Sequence, residues 1–107
     1  MNNVNKEETM IDELYELIQG EEGLLVELRM ELKFNDKKYQ RIVELLNLLI
    51  GEWRKVDAIP KKAMLAIVDL MTDLVGNNRY LSEEESLKVE DASLEIYDML
   101  MTLCDTV

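Results

Sequence analysis

The run IVELLNLLIGEW, residues 42–53, is the most apolar stretch of the chain, and it constrains everything around it. Its apolar residues recur at intervals of three and four, the spacing of one helix face. With its flanks, the stripe is Tyr39, Ile42, Val43, Leu46, Leu49, Ile50, Trp53 and Val56, widened by Leu45 and Leu48. A helix apolar over so much of its circumference needs neighbours on more than one side. The rest of the chain must therefore supply helices to cover it. A composition rich in Leu, Glu, Met and Lys favours helix, and one Pro and four Gly in 107 residues leave little room for long loops.

The expected fold is all-α, an antiparallel up-down four-helix bundle in a single domain spanning residues 1–107. Residues 1–8 are polar and expected to be disordered. Thr9 and Asp12 form an approximate capping pair for a first helix. Met10, Ile11, Leu14, Leu17 and Ile18 lie on one face of it, and the apolar phase carries on through Leu24, Leu25, Leu28 and Leu32. The preserved phase favours one long helix to about Lys33, with a kink or break open at Gly20 and Gly23. Phe34-Asn35-Asp36 signals a turn in which Asn35 or Asp36 can cap the central helix, residues 37–56. Gly51 inside that helix suggests a close helix crossing.

Pro60 lacks an N–H and fits only the start of a third helix. This helix should run to about Val75, with Met64, Ile67, Val68, Met71, Leu74 and Val75 inward. Gly76-Asn77-Asn78 ends it. Ser82-Glu83-Glu84-Glu85 is a capping box, S-x-x-E, opening a fourth helix to about Leu103. Its apolar positions include Leu87, Val89, Ala92, Ile96, Met99, Leu100 and Leu103, with Tyr97, Met101 and Cys104 on a flanking face. The short connections between the last three helices make consecutive helices antiparallel neighbours.

A net charge of −11 disfavours contact with nucleic-acid phosphates. Residues 1–56 carry eight basic and twelve acidic groups, and residues 57–107 carry four and eleven. The single cysteine, Cys104, excludes an internal disulfide and reads as a packing residue. No secretion signal or membrane-length apolar run is visible, so a cytoplasmic location is expected.

The chain has no histidine, which removes the commonest general base and metal ligand. Glycine-rich phosphate loops and nucleophile elbows are also missing. The acidic pairs Glu13/Glu16 and Glu95/Asp98 resemble the carboxylates with which all-α nucleotide pyrophosphohydrolases hold Mg²⁺, but a solvated helix face explains them more simply. No catalytic, cofactor-binding or metal residue is therefore assigned. The methionines and Trp53 read as core. Against the acidic background two basic groups stand out, Lys33, Lys37, Lys38 and Arg41, and then Arg54, Lys55, Lys61 and Lys62. Their simplest role is pairing with nearby carboxylates, and the alternative is docking onto an acidic partner or anionic lipid. Arg79 and Tyr80, in a loop, are of the type that anchors interfaces.

The order of helices and turns resembles the enterocin A-type immunity proteins of class IIa bacteriocins. The resemblance rests on IDELYELI at residues 11–18, YQRIVELLNLLI at residues 39–50, and the Ile59-Pro60 helix start. It continues through the Asn77-Asn78 turn to the Leu81-Ser82 helix start with its acidic residues, so it covers residues 11–100. It implies a cytosolic four-helix bundle without a cofactor. Such a protein protects its host by associating with the bacteriocin-bound mannose-phosphotransferase permease on its inner side. It also implies that specificity lies in the C-terminal half, on the third helix, residues 77–81 and the fourth helix.

The expected function is thus a non-enzymatic binding protein, a bacteriocin immunity protein, with a homodimer left open. The partner-binding candidates are Arg54, Lys55, Lys61, Lys62, Asn78, Arg79 and Tyr80. The alternative is an acidic phage- or plasmid-type inhibitor or adaptor that occupies a basic protein surface.

Overall fold

The computed structural model describes residues 3–76 and 81–104. The described residues form five α-helices and no strand: α1 (Asn3–Gln19), α2 (Leu24–Glu31), α3 (Asp36–Trp53), α4 (Lys61–Gly76) and α5 (Glu83–Cys104). The long helices α1, α3, α4 and α5 make an all-α four-helix bundle. The short α2 is the far end of what the apolar phase suggested was one long first helix.

Two glycines make that break. The Gly20 N–H still reaches the Glu16 carbonyl, at 2.9 Å, and the Gly23 N–H then turns onto the Gly20 carbonyl, at 2.8 Å. A Cβ on Gly20 would lie 2.5 Å from the Glu16 carbonyl oxygen, and one on Gly23 would lie 2.9 Å from the carbonyl oxygens of Glu16 and Ile18. Only glycine permits so close a backbone approach. The apolar phase resumes because α2 buries a face of its own, Leu24, Leu25 and Leu28. α2 is tied across one end of the bundle. Arg29 pairs with Asp73 on α4 at 3.1 Å, and Glu27 pairs with Lys38 on α3 at 3.0 Å. It ends at Leu32, which takes the left-handed conformation at φ 58° and donates its N–H to the Leu28 carbonyl.

At the N-terminus, residues expected to be disordered are helical from Asn3, so Thr9 and Asp12 lie inside α1 and do not cap it. Neighbouring helices give this opening segment something to lie against. Lys6, Glu7 and Met10 line a shallow groove with Leu48 and Glu52 of α3.

The cap at Asn35 forms as expected, and at Ser82 the serine half of the capping box forms while the Glu85 carboxylate goes to the Phe34 N–H and Lys88. Asn35 Oδ1 accepts from the Lys38 N–H at 3.0 Å, and Ser82 Oγ accepts from the Glu85 N–H at 3.1 Å. Glu85 adds a long-range link, because its carboxylate accepts the Phe34 N–H at 2.7 Å and fastens the start of α5 to the α2–α3 connection.

The helix directions alternate along the chain. Asp12 pairs with Lys62 and Gln19 with Asp69, so α1 and α4 run parallel. Asp36 pairs with Lys88 and Tyr39 with Glu95, so α3 and α5 run parallel as well. Glu13 meets Arg41, whereas the earlier Met10 lies by the later Leu48, so α1 and α3 are antiparallel. It follows that α4 and α5 are antiparallel too. Each long helix packs on two others, α1 and α5 both lying against α3 and α4. Consecutive α3 and α4 are therefore diagonal and not adjacent. Residues 54–60 span up to roughly 23 Å when extended, enough to cross a bundle diagonal of about 14 Å.

The core runs from Ile11 and Leu14 through all of the inner face of α3 to Val89, Ala92 and Ile96. Tyr39, Ile42, Leu45, Leu46, Leu49, Ile50 and Trp53 are buried, which makes α3 the strut its sequence suggested. Val56 and Leu48 are exposed instead. Gly51 mediates no helix crossing, since a Cβ there would meet nothing within 4 Å.

The rotation of α4 differs most from expectation. Its buried positions are Ala63, Ala66, Ile67, Leu70 and Leu74, while Met64, Val68 and Val75, read as inward, are exposed. Both sides of α4 are apolar, so periodicity alone did not fix its rotation. The small Ala63 and Ala66 go inward, where they let α4 sit close to the bundle. Its larger residues are left outside.

Candidate functional site: an outward apolar face on α4 and α5

Of the twelve large apolar side chains exposed among the described residues, eight lie on α4 and α5. They are Met64, Leu65, Val68 and Val75 on α4, and Leu87, Leu94, Tyr97 and Met101 on α5, with exposures from 41% to 68%. Isolated exposed apolar residues need no explanation, but a contiguous set does.

Helix geometry makes this set contiguous. At about 100° per residue, Leu87, Leu94 and Met101 fall on one line of α5, opposite the buried Val89, Ala92 and Ile96. Tyr97 sits beside that line. The α3-facing side of α5 is marked by Lys88, which pairs with Asp36, and by Glu95, which accepts from Tyr39. Tyr97 lies away from that side, towards α4. On α4, Asp69 and Lys62 mark the side that meets α1. Met64, Val68 and Val75, with the half-buried Met71, lie away from it, towards α5. The two sets therefore flank the α4–α5 groove on the outside of the bundle.

Charge surrounds this face unevenly. Glu83, Glu84, Glu90, Asp91 and Asp98 on α5 are exposed, and none forms an ion pair with a described residue. Glu90 lies within the apolar line, one turn before Leu94. The only basic residue on the outer side of α4 is Lys61.

Elsewhere part of the acidic surface is paired, while Glu8, Glu16, Glu21, Glu22, Glu31 and Asp57 are exposed and form no ion pair with a described residue. Arg41 holds Glu13 with two hydrogen bonds, of 2.6 and 2.9 Å, and keeps that carboxyl below its ordinary range. Lys38 lowers Glu27 likewise, through one hydrogen bond of 3.0 Å. The Phe34 N–H, aided by Lys88, lowers Glu85.

The residues singled out from sequence are spread out. Lys62 is committed to Asp12 at 2.8 Å and lies over the Tyr15 ring, and the Asp12 hydrogen bond raises its pKa. Lys55 meets Glu52 at 3.5 Å. Arg54 and Lys61 are exposed and form no ion pair with a described residue. Asn78, Arg79 and Tyr80 lie outside the described residues. In the other basic group, Lys38 and Arg41 pair with carboxylates.

The two acidic pairs do not converge. Glu13 is held by Arg41, Glu95 accepts from Tyr39, and α1 and α5 are diagonal. No group of three or more acidic or cysteine residues able to hold a metal occurs among the described residues. Cys104 is exposed and not packed. The methionines are also less internal than their spacing suggested. Met30, Met64 and Met101 are exposed, and Met10, Met71 and Met99 are only partly buried. None of the described helices is long and apolar enough to cross a membrane.

Sequence reading passed over Leu94 and placed Met64, Val68 and Val75 inside. The signal was present in the seven-residue spacing of Leu87, Leu94 and Met101, on a helix whose other face already carried a core pattern. Compared with models of known protein families, with curated proteins and with solved structures, the chain matches none.

Proposed function

We propose that this chain is a non-enzymatic binding protein that docks a partner on the outer face of α4 and α5, and that it serves as a bacteriocin immunity protein. The observation that carries the binding reading is the contiguous apolar face itself. The bundle already has a closed core, so seven large exposed apolar side chains along one outer groove, with Leu65 exposed nearby, are unnecessary for folding and costly in water. The immunity reading draws on the family resemblance, which assigns specificity to the half of the chain that carries this face. In that reading the protein works from the cytosolic side and associates with the bacteriocin-targeted sugar permease.

Expression in a strain sensitive to class IIa bacteriocins tests it. Protection against at least one bacteriocin is expected, and Leu94→Gln together with Tyr97→Ala should abolish it while the protein stays folded. Unchanged killing across a class IIa panel overturns the immunity reading.

A second reading keeps the docking face but changes the partner. Five exposed carboxylates of α5 that form no ion pair with a described residue favour an inhibitor or adaptor that occupies a basic protein surface. Failure to protect, with the face still required for binding a basic partner, supports this alternative.

A further inference from the structure

We infer that the α4–α5 groove takes one amphipathic helix of a partner protein, apolar along one face and lined with Lys or Arg. This rests on the docking reading above and says what the face accepts.

Two independent features point to a helix of this kind. The first is spacing. Leu87, Leu94 and Met101 repeat every seven residues, and Tyr97 follows Leu94 by three, the a and d pattern with which one helix receives another. On the other wall, Met64, Val68 and Val75 also rise along one side of a helix, so the groove runs along the helix axes. A partner helix lying in it would meet apolar side chains from both walls over several turns. Both walls are regular helices, and the groove between them offers no free strand edge.

The second feature is charge, which separates the possible occupants. Glu90 stands within the α5 line, and Asp91 and Asp98 stand on its outer margin, exposed and unpaired with any described residue. A helix with basic flanks satisfies these carboxylates as its apolar face is covered. A second copy of this chain does not, because it brings the same carboxylates to the interface and each copy carries a net charge of −11. An anionic bilayer meets the same repulsion.

The test uses the full chain and three fluorescent 21-residue peptides. All share a helical pattern with Leu at a and d positions. One carries Lys at the flanking positions, one carries Glu there, and the third has the Lys sequence scrambled. Fluorescence anisotropy at low and moderate salt measures binding. Light scattering and flotation with phosphatidylglycerol vesicles run alongside.

The Lys peptide should bind at least tenfold more tightly than the other two and weaken as salt rises. Leu94→Gln should reduce its binding at least tenfold. Glu90→Lys with Asp98→Lys should reverse the preference towards the Glu peptide. Circular dichroism on each variant establishes that the helices remain.

Equal binding of Lys and Glu peptides, or binding unaffected by Leu94→Gln, overturns the inference. So does a dimer that Leu94→Gln dissociates, or vesicle binding that needs Leu94. If no peptide binds but Leu94→Gln with Tyr97→Ala still abolishes protection, the face is a docking site of another shape. The helix inference then falls, and the docking reading stands.

Discussion

The Tyr39 hydroxyl on α3 donates to the Glu95 carboxylate on α5, a hydrogen bond linking two parallel neighbours fifty-six residues apart in the chain. The ring is buried in the core, and Phe34 packs against it with centroids 5.2 Å apart. Burial first, and the Glu95 carboxylate second, push the phenol pKa well above its ordinary value. The proton is thus held more tightly in the folded protein than in the unfolded chain. The resulting stability is complete below pH 10, the ordinary phenol value, and is lost as pH rises beyond it. Tyr39→Phe should cost about 1–2 kcal/mol at neutral pH. The gap between variant and parent should narrow above pH 10, as read by urea denaturation across that range.

Acid acts through other residues. Glu13, Glu27 and Glu85 have pKa values lowered in the fold, by Arg41, Lys38 and the Phe34 N–H respectively. Stability from depressed carboxyl groups is present above their ordinary value of 4.5 and is lost as pH falls through the folded value. The midpoint of thermal unfolding should therefore drop below about pH 4.5. Glu85→Gln should be less stable than the parent at pH 7, and the difference should shrink as pH falls towards 3.

Backbone conformation separates three small residue changes. Gly23→Ala places a Cβ 2.9 Å from two carbonyl oxygens and should destabilise by more than about 1 kcal/mol. Leu32→Gly relieves a left-handed leucine, at φ 58°, and should stabilise by up to about 1 kcal/mol. Gly51→Ala, with open space around it in the last turn of α3, should also gain up to about 1 kcal/mol. Chemical denaturation that found Gly23→Ala as stable as the other two variants would refute the assigned turn and helix geometry.

Interior and exterior substitutions should differ in what they damage. Trp53 is 2% exposed, and Trp53→Ala should cost about 3 kcal/mol or more. Trp53 Nε1 is buried and has no hydrogen-bond partner among the described residues, so the expected loss is one of packing. Leu94→Gln should change stability by no more than about 0.5 kcal/mol. Paired melting and partner-binding measurements should find Trp53→Ala weak in the first and Leu94→Gln weak in the second.

The elements easiest to read from the sequence were those with a single apolar face or an explicit cap. The inner face of α3 and the caps at Asn35 and Ser82 fall into this group. Periodicity could not decide the rotation of α4. Met64, Val68 and Val75 compete with Ala63, Ala66 and Leu70 for the inside, and neighbouring helices prefer the smaller set. The same ambiguity hid the outer face, since a stripe of large apolar residues reads as core until another stripe is shown to fill it. At Gly20 and Gly23, two glycines signalled a break that the continuing leucine phase disguised. The diagonal placement of α3 and α4 depends on how residues 54–60 travel, which no local residue pattern encodes.

That diagonal divides the molecule into two hairpins, α1–α3 and α4–α5, joined by one strap. A chain cut within residues 54–60 would yield two fragments of nearly equal length, each keeping an antiparallel helix pair and exposing the apolar side that faced the other. Both halves are acidic, at −4 and −7, so their reassembly should accelerate as salt screens the repulsion. Recognition and scaffolding would then reside on different molecules. The α4–α5 fragment alone would carry the proposed docking groove, with the α1–α3 fragment as its folding template.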